Sequence, residues 1–123
     1  MASLPLLKTE TIWAILNDSV DDATVNCLVW ERLGYHYDAG SGKWNATQVA
    51  PEWRDQYPEP PDFINSRPAT IKLTRSIPPA NKQLLKEQLG FEGYKVNELT
   101  PRRTRRATIA NWLLSYMKTQ HGS

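Results

Sequence analysis

Thr100-Pro101-Arg102-Arg103-Thr104-Arg105-Arg106-Ala107-Thr108-Ile109-Ala110-Asn111-Trp112-Leu113-Leu114-Ser115-Tyr116-Met117 is the stretch on which the fold turns. Thr100 suits an N-cap, and Pro101 behind it has a preset φ and lacks the amide hydrogen that a first helical turn leaves unpaired, so the pair predicts a helix start. Ala107, Ala110, Leu114 and Met117 recur at helical spacing, and Ile109, Trp112, Leu113 and Tyr116 widen that stripe almost around the cylinder. A helix apolar on nearly every side is a buried one, so this segment is expected at the centre of a core.

Upstream segments supply what packs on it. Thr9 is placed to cap a short helix carrying Ile12, Trp13, Ile15 and Leu16 and ending near Asn17 and Asp18. Ser19 and Asp22 form a capping-box-like start for a second helix with Val25, Leu28, Val29 and Leu33, stopped by Gly34. Tyr35-His36-Tyr37 and Lys43-Trp44-Asn45 flank a glycine-rich turn and predict a small hairpin. From Ala50 to Pro68 prolines bar any long helix, while Trp53, Tyr57 and Phe63 are too apolar to leave in water, so an ordered wrap is expected in place of a linker. Ala69 to Arg75 fits both a strand, by Ile71 and Leu73, and a helix capped by Ser66; the helix is preferred. Pro78-Pro79 opens a helix with Leu84, Leu85 and Leu89, stopped by Gly90.

The expectation is therefore one mainly α domain over residues 1–123, with four to five helices, a small β-hairpin and a proline-rich wrap, and 118–123 as a flexible tail or cloning remnant. A chain of 123 residues, 40% hydrophobic and 23% charged, can bury a core without disulfides or metals. No apolar run reaches the roughly 18 residues of a membrane span, and Met1 to Lys8 lack the pattern of a signal peptide. With a single cysteine, Cys27, the expected setting is a reducing, cytoplasmic one, without membrane contact.

The net charge of +2 hides an asymmetry. Residues 1–65 hold ten acids against four bases, a balance of −6; residues 66–123 hold three acids against eleven bases, a balance of +8. Either the halves neutralise each other or the basic half faces an anionic partner. Arg102, Arg103, Arg105 and Arg106 sharpen the question, because they lie at the N-terminus of the last helix. That end already carries positive potential, so each cation there costs a few tenths to about 1 kcal/mol and calls for a compensating anion. The anion is either an acid of the first half or an external phosphate, nucleic acid or acidic protein surface.

Catalytic groupings are scarce. His36 and His121 are the only histidines, which argues against a metal site, and Cys27 lies mid-helix without a spaced histidine. Gly40-Ser41-Gly42-Lys43 resembles part of a phosphate loop, but Trp44 stands where Ser or Thr must bind magnesium. Asn45-Ala46-Thr47 is a glycosylation triplet without meaning in a cytosolic protein, and Arg105-Arg106-Ala107-Thr108 matches a basophilic kinase site too briefly to weigh. Two helices and a hairpin follow the order of a winged helix-turn-helix. Its recognition helix, Asp21 to Leu33, would present Asp21, Asp22 and Glu31 against one Arg32, however, and phosphates would repel it. Tyr35, Tyr37 and Trp44 are expected to hold the hairpin together in preference to stacking on bases.

Five strings resemble one family: Trp13-Ala14-Ile15-Leu16-Asn17-Asp18, Val49-Ala50-Pro51-Glu52-Trp53-Arg54, Tyr57-Pro58-Glu59-Pro60-Pro61-Asp62-Phe63-Ile64, Leu73-Thr74-Arg75-Ser76-Ile77-Pro78-Pro79 and Leu99-Thr100-Pro101-Arg102 to Arg106. The family is one of small cyanobacterial proteins classed as a domain of unknown function, and the resemblance runs from about Leu4 to Met117. It implies a cyanobacterial cytoplasmic setting and a housekeeping or photosynthesis-related role, and brings no activity, cofactor or catalytic residue with it.

The functional expectation is a non-enzymatic regulatory or assembly factor, without cofactor or metal, that binds an acidic protein surface. Arg102, Arg103, Arg105 and Arg106 carry the binding, extended by Arg75 and Lys72, with Tyr57, Pro60, Pro61 and Phe63 as a second surface. The alternative is RNA or DNA binding through the same basic helix, and a third class is an enzyme whose carboxylate pair, from acids such as Glu52 and Asp55, is assembled only by folding.

Overall fold

The computed structural model describes residues 4–120. Six helices and one hairpin follow in the order α1 (Thr9–Leu16), α2 (Asp22–Leu33), β1 (His36–Asp38), β2 (Lys43–Asn45), α3 (Pro51–Arg54), α4 (Arg67–Ser76), α5 (Leu84–Leu89) and α6 (Pro101–Gln120). Single 3-10 turns lie at Pro79–Asn81 and Val96–Glu98. The fold is mainly α, as expected; the helix beyond the expected five is α3, one turn inside the proline wrap.

α6 is the central element. Residues 109–115 are buried without interruption, and α1, α2, α4 and α5 all pack on it. Helix α6 continues through Gln120, so Lys118 to Gln120 belong to it and not to a tail: Thr119 Oγ1 donates to the Ser115 carbonyl at 2.8 Å and Lys118 Nζ to Asn81 Oδ1 at 3.3 Å. Residues 121–123, with His121, lie outside the described residues.

Three helix starts differ from expectation. Lys8, not Thr9, occupies the cap of α1. Asp21 caps α2 by accepting from the Thr24 amide at 2.8 Å, while Asp22, which the capping-box reading assigned to Ser19, turns to arginines of α6. The segment after Pro78 forms a 3-10 turn before the six-residue α5, so that helix starts at Leu84 and not at the prolines. Between α1 and α2 the non-glycine Asp18 adopts φ 60°, a left-handed geometry that Asp tolerates better than most residues.

The wrap is built into the core. Trp30 Nε1 donates to the Pro61 carbonyl at 2.6 Å, Asn26 holds the Asp62 carboxylate and the Phe63 amide at 3.0 Å each, and Tyr35 Oη donates to the Tyr57 carbonyl at 2.6 Å. Trp53 packs edge-on against Phe63. Phe63 is fully buried and Pro61 is buried, so the second surface expected of Tyr57, Pro60, Pro61 and Phe63 does not form as a unit. The aromatics that made this stretch look adhesive instead hold the wrap on α2 and the core. The hairpin pairs His36 with Asn45, Tyr37 with Trp44 and Asp38 with Lys43, and Trp44 seats it on Trp30 of α2.

Candidate functional site

Thr100 accepts the Arg103 amide on its Oγ1 at 3.1 Å, which starts α6 so that four arginines leave its first two turns in different directions. Arg102 forks onto Asp18, with Nη1 to Oδ2 at 2.9 Å and Nη2 to Oδ1 at 2.7 Å, while its Nε donates to Asp22 Oδ2 at 3.0 Å. Arg106 is fully buried. Its Nη1 donates to Asp22 Oδ1 at 2.7 Å, its Nη2 to the carbonyls of Val20 at 2.6 Å and Ile15 at 3.1 Å, and its Nε to Ile15 again at 3.3 Å. The two arginines thus bind the carboxylates of the α1–α2 connection and the carbonyl end of α1, where a cation complements the helix dipole.

The other two arginines also have internal partners. Arg103 lies over the Tyr94 ring at 5.4 Å with Glu98 at 3.8 Å, and Tyr94 Oη in turn donates to the Leu16 carbonyl at 2.8 Å. Arg105 Nη1 donates to the Ile64 carbonyl at 2.8 Å. The anions that compensate the basic start of α6 therefore include Asp18 and Asp22 of the acidic half of the chain.

Asp18 and Asp22 are a carboxylate pair that folding assembles, 80 residues and more from the arginines that hold them. The hydrogen bond from Arg102 keeps the Asp18 carboxyl below the usual carboxylate range, against the opposing effect of burial. A general acid needs the reverse, a raised carboxyl. Among the described residues no group of three His, Cys, Asp or Glu is placed to hold a metal ion. Burial, followed by Glu31 and Asp21, pushes the Cys27 thiol up, which keeps it protonated and a poor nucleophile. Glu52 and Asp55, in and just after α3, are exposed, and His36 is exposed with its ring 3.1 Å from Gln48.

Lys72 and Arg75 stand apart from this cluster, on α4. Ser66 caps that helix through the Ala69 amide, and Ala69, Thr70 and Leu73 turn inward, with Thr70 Oγ1 bonded to the Phe63 carbonyl. Arg67, Ile71 and Arg75 are exposed on the outer side, one turn apart. Lys72 lies 5.0 Å over the Trp53 ring, and with Pro68, Ile71 and Arg75 on one side and Glu52 and Trp53 on the other it lines a groove of about 530 Å³ between α3 and α4. α4 contains three bases and no acid, and among the described residues none of the three is in an ion pair. Lys72 and Arg75, expected as extensions of the arginine cluster, belong instead with Arg67, whose signal in the sequence is the acid-free run Arg67 to Ser76.

Comparison with known proteins decides the family. A family model described as a domain of unknown function, DUF1823, matches residues 5–118. The chain belongs to that family. A solved structure described as the solution NMR structure of a protein is 59% identical, with a TM-score of 0.83 over 98% of this chain and 99% of that one. No curated protein matches. Membership covers nearly the same span as the strings that resembled the family, and it assigns no activity to the arginine cluster or to α4. Among the described residues no helix is long and apolar enough to cross a membrane.

Proposed function

We propose that this protein is a non-enzymatic regulatory or assembly factor of the cyanobacterial cytoplasm that docks an acidic protein surface, and that the outer side of α4 makes the contact. The observation that carries the reading is the trio Arg67, Lys72 and Arg75, which no carboxylate among the described residues pairs, set around apolar Pro68 and Ile71. Arg102 and Arg106, by contrast, already hold two carboxylates, and an incoming acid would have to displace Asp18 or Asp22. The groove itself sets Lys72 and Arg75 against one exposed carboxylate, Glu52. An apolar centre with this net positive edge suits a partner segment that is acidic and carries an aliphatic side chain, since steering comes from the charges and affinity from the covered apolar surface.

The test is a titration of the labelled protein with an acidic amphipathic peptide, followed by amide NMR shifts. Shifts centred on residues 66–76, and their loss in Arg67→Glu/Lys72→Glu/Arg75→Glu with retention in Arg103→Gln/Arg105→Gln, are the expected results. A duplex or single-stranded oligonucleotide that binds more tightly than the peptide, with affinity falling steeply with salt, would place the protein among nucleic-acid binders instead.

A further inference from the structure

The central helix is left open on one side. Thr104, Ala107, Thr108 and Asn111 follow the i, i+3, i+4, i+7 spacing of a single face of α6, and they form one wall of a groove of about 350 Å³. Its opposite side comes from the end of α4, from α5 and from the Phe91–Gly93 turn. It shares no lining residue with the groove on α4. The volume lies near the lower end of the roughly 300–1,000 Å³ of small-molecule sites.

The lining has a definite chemistry. Ile77, Leu85, Phe91 and Ala107 give it an apolar floor. Lys82 and Lys86, both exposed, are its cations and Glu92 its carboxylate. Lys82 Nζ donates to the Thr74 carbonyl at the end of α4, which fixes that ammonium at the rim, and among the described residues neither lysine is in an ion pair. Asn111 does not compete for a ligand: its Oδ1 accepts the Leu85 amide and its Nδ2 donates to the Asn81 carbonyl, so it fixes the wall. Two cations against one carboxylate favour an anion. Exposed lysines hold a bare anion weakly in water, so most of the affinity has to come from apolar surface covered on the floor.

We propose that this groove binds a small anion carrying an apolar group, with its carboxylate or phosphate on Lys82 and Lys86 and its apolar body against Leu85, Phe91 and Ala107. The site is independent of the docking face on α4, and the two stand or fall separately.

Amide NMR titration with 1-naphthyl phosphate, 1-naphthoate, 1-naphthol and inorganic phosphate tests it. Saturable shifts at Lys82–Lys86, Phe91–Gly93 and Thr104–Asn111 are expected with either naphthyl anion, the tighter of the two showing which head group the lysines prefer. Binding of 1-naphthol or of inorganic phosphate should be at least about tenfold weaker, as should binding of 1-naphthyl phosphate to Lys82→Ala/Lys86→Ala. Lys86→Glu, a change at an exposed side chain, repeats the test should the double variant alter the rest of the spectrum. The proposal is overturned if the naphthyl anions shift residues scattered over the surface or centred on α4, if the lysine variants bind as well as the parent, or if 1-naphthol or phosphate alone binds as tightly.

Discussion

Arg106 is the residue on which the molecule closes. A guanidinium removed from water is tolerated only where its nitrogens find acceptors, and here Asp22, Val20 and Ile15 accept from all three of them. Methionine keeps much of the stem's volume but leaves the Val20 carbonyl without its side-chain donor and the Asp22 carboxylate with Arg102 as its one remaining arginine. Arg106→Met is therefore expected to lower the unfolding free energy by about 3 kcal/mol in urea titrations, within the range for breaking a buried pair. A loss below about 1 kcal/mol would show that α1 and α6 are joined by apolar packing alone. At the same scale the functional residues divide: a buried arginine serves the fold, while exposed cations such as Arg67 and Arg75 are left to meet something else.

Among the elements, the connection from α2 into the hairpin is the tightest. Gly34 ends α2 at φ 108°, and a Cβ there would stand 2.5 Å from the Gln48 carbonyl oxygen. Both the left-handed backbone and the close approach of residue 48 require glycine. Gly34→Ala is expected to cost about 2 kcal/mol or more, and to shift the amide signals of Gln48 and Val49 as well as its own, since the clash is with backbone that cannot rotate away. Confined shifts and an unchanged melting temperature would mean that the 46–49 turn moves freely. The wrap makes the complementary case: its prolines deny it regular hydrogen bonds, and side chains of α2 supply them instead, through Asn26 and Trp30.

For the whole molecule, the opposition of acidic and basic halves becomes a dependence on pH. The Arg102 hydrogen bond holds the Asp18 carboxyl low, and at Asp62 burial works against ionisation but is outweighed by hydrogen bonds from Asn65, Asn26 and the Asn65 and Ile64 amides. Both groups ionise at lower pH in the folded chain than in the unfolded one, whose carboxyls titrate near 3.8. Below that range the unfolded state binds more protons, so the stability these groups contribute is complete at neutral pH and is lost as pH falls through their lowered values. The melting temperature should vary little between about pH 7 and 5 and fall below about pH 4, and Asp18→Asn should reduce that fall while lowering stability at pH 7 by about 1 kcal/mol. An equal acid fall in Asp18→Asn and in the parent would remove Asp18 from the account.

The mainly α class, the central last helix, the hairpin and the ordered wrap were legible in the chain because each rests on local rules: apolar periodicity, capping, turn chemistry and the dihedral limits of proline. The start of α2 was less so, because Asp22 could satisfy a neighbouring amide or a distant arginine, and only the folded chain brings Arg102 and Arg106 within reach. For the same reason four adjacent arginines read as one site in sequence but separate in space, with Arg102 and Arg106 on Asp18 and Asp22, Arg103 over Tyr94 and Arg105 on Ile64. Phe63 looked as adhesive as any exposed aromatic, and its burial follows from how the wrap crosses α2. The acid-free helix α4 carries its chemistry openly in its composition, but that its cations flank a groove depended on Trp53 arriving from α3. Periodicity and caps act over a few residues and can be read from a string; pairing, exposure and grooves are properties of segments far apart in the chain, and packing alone brings those together.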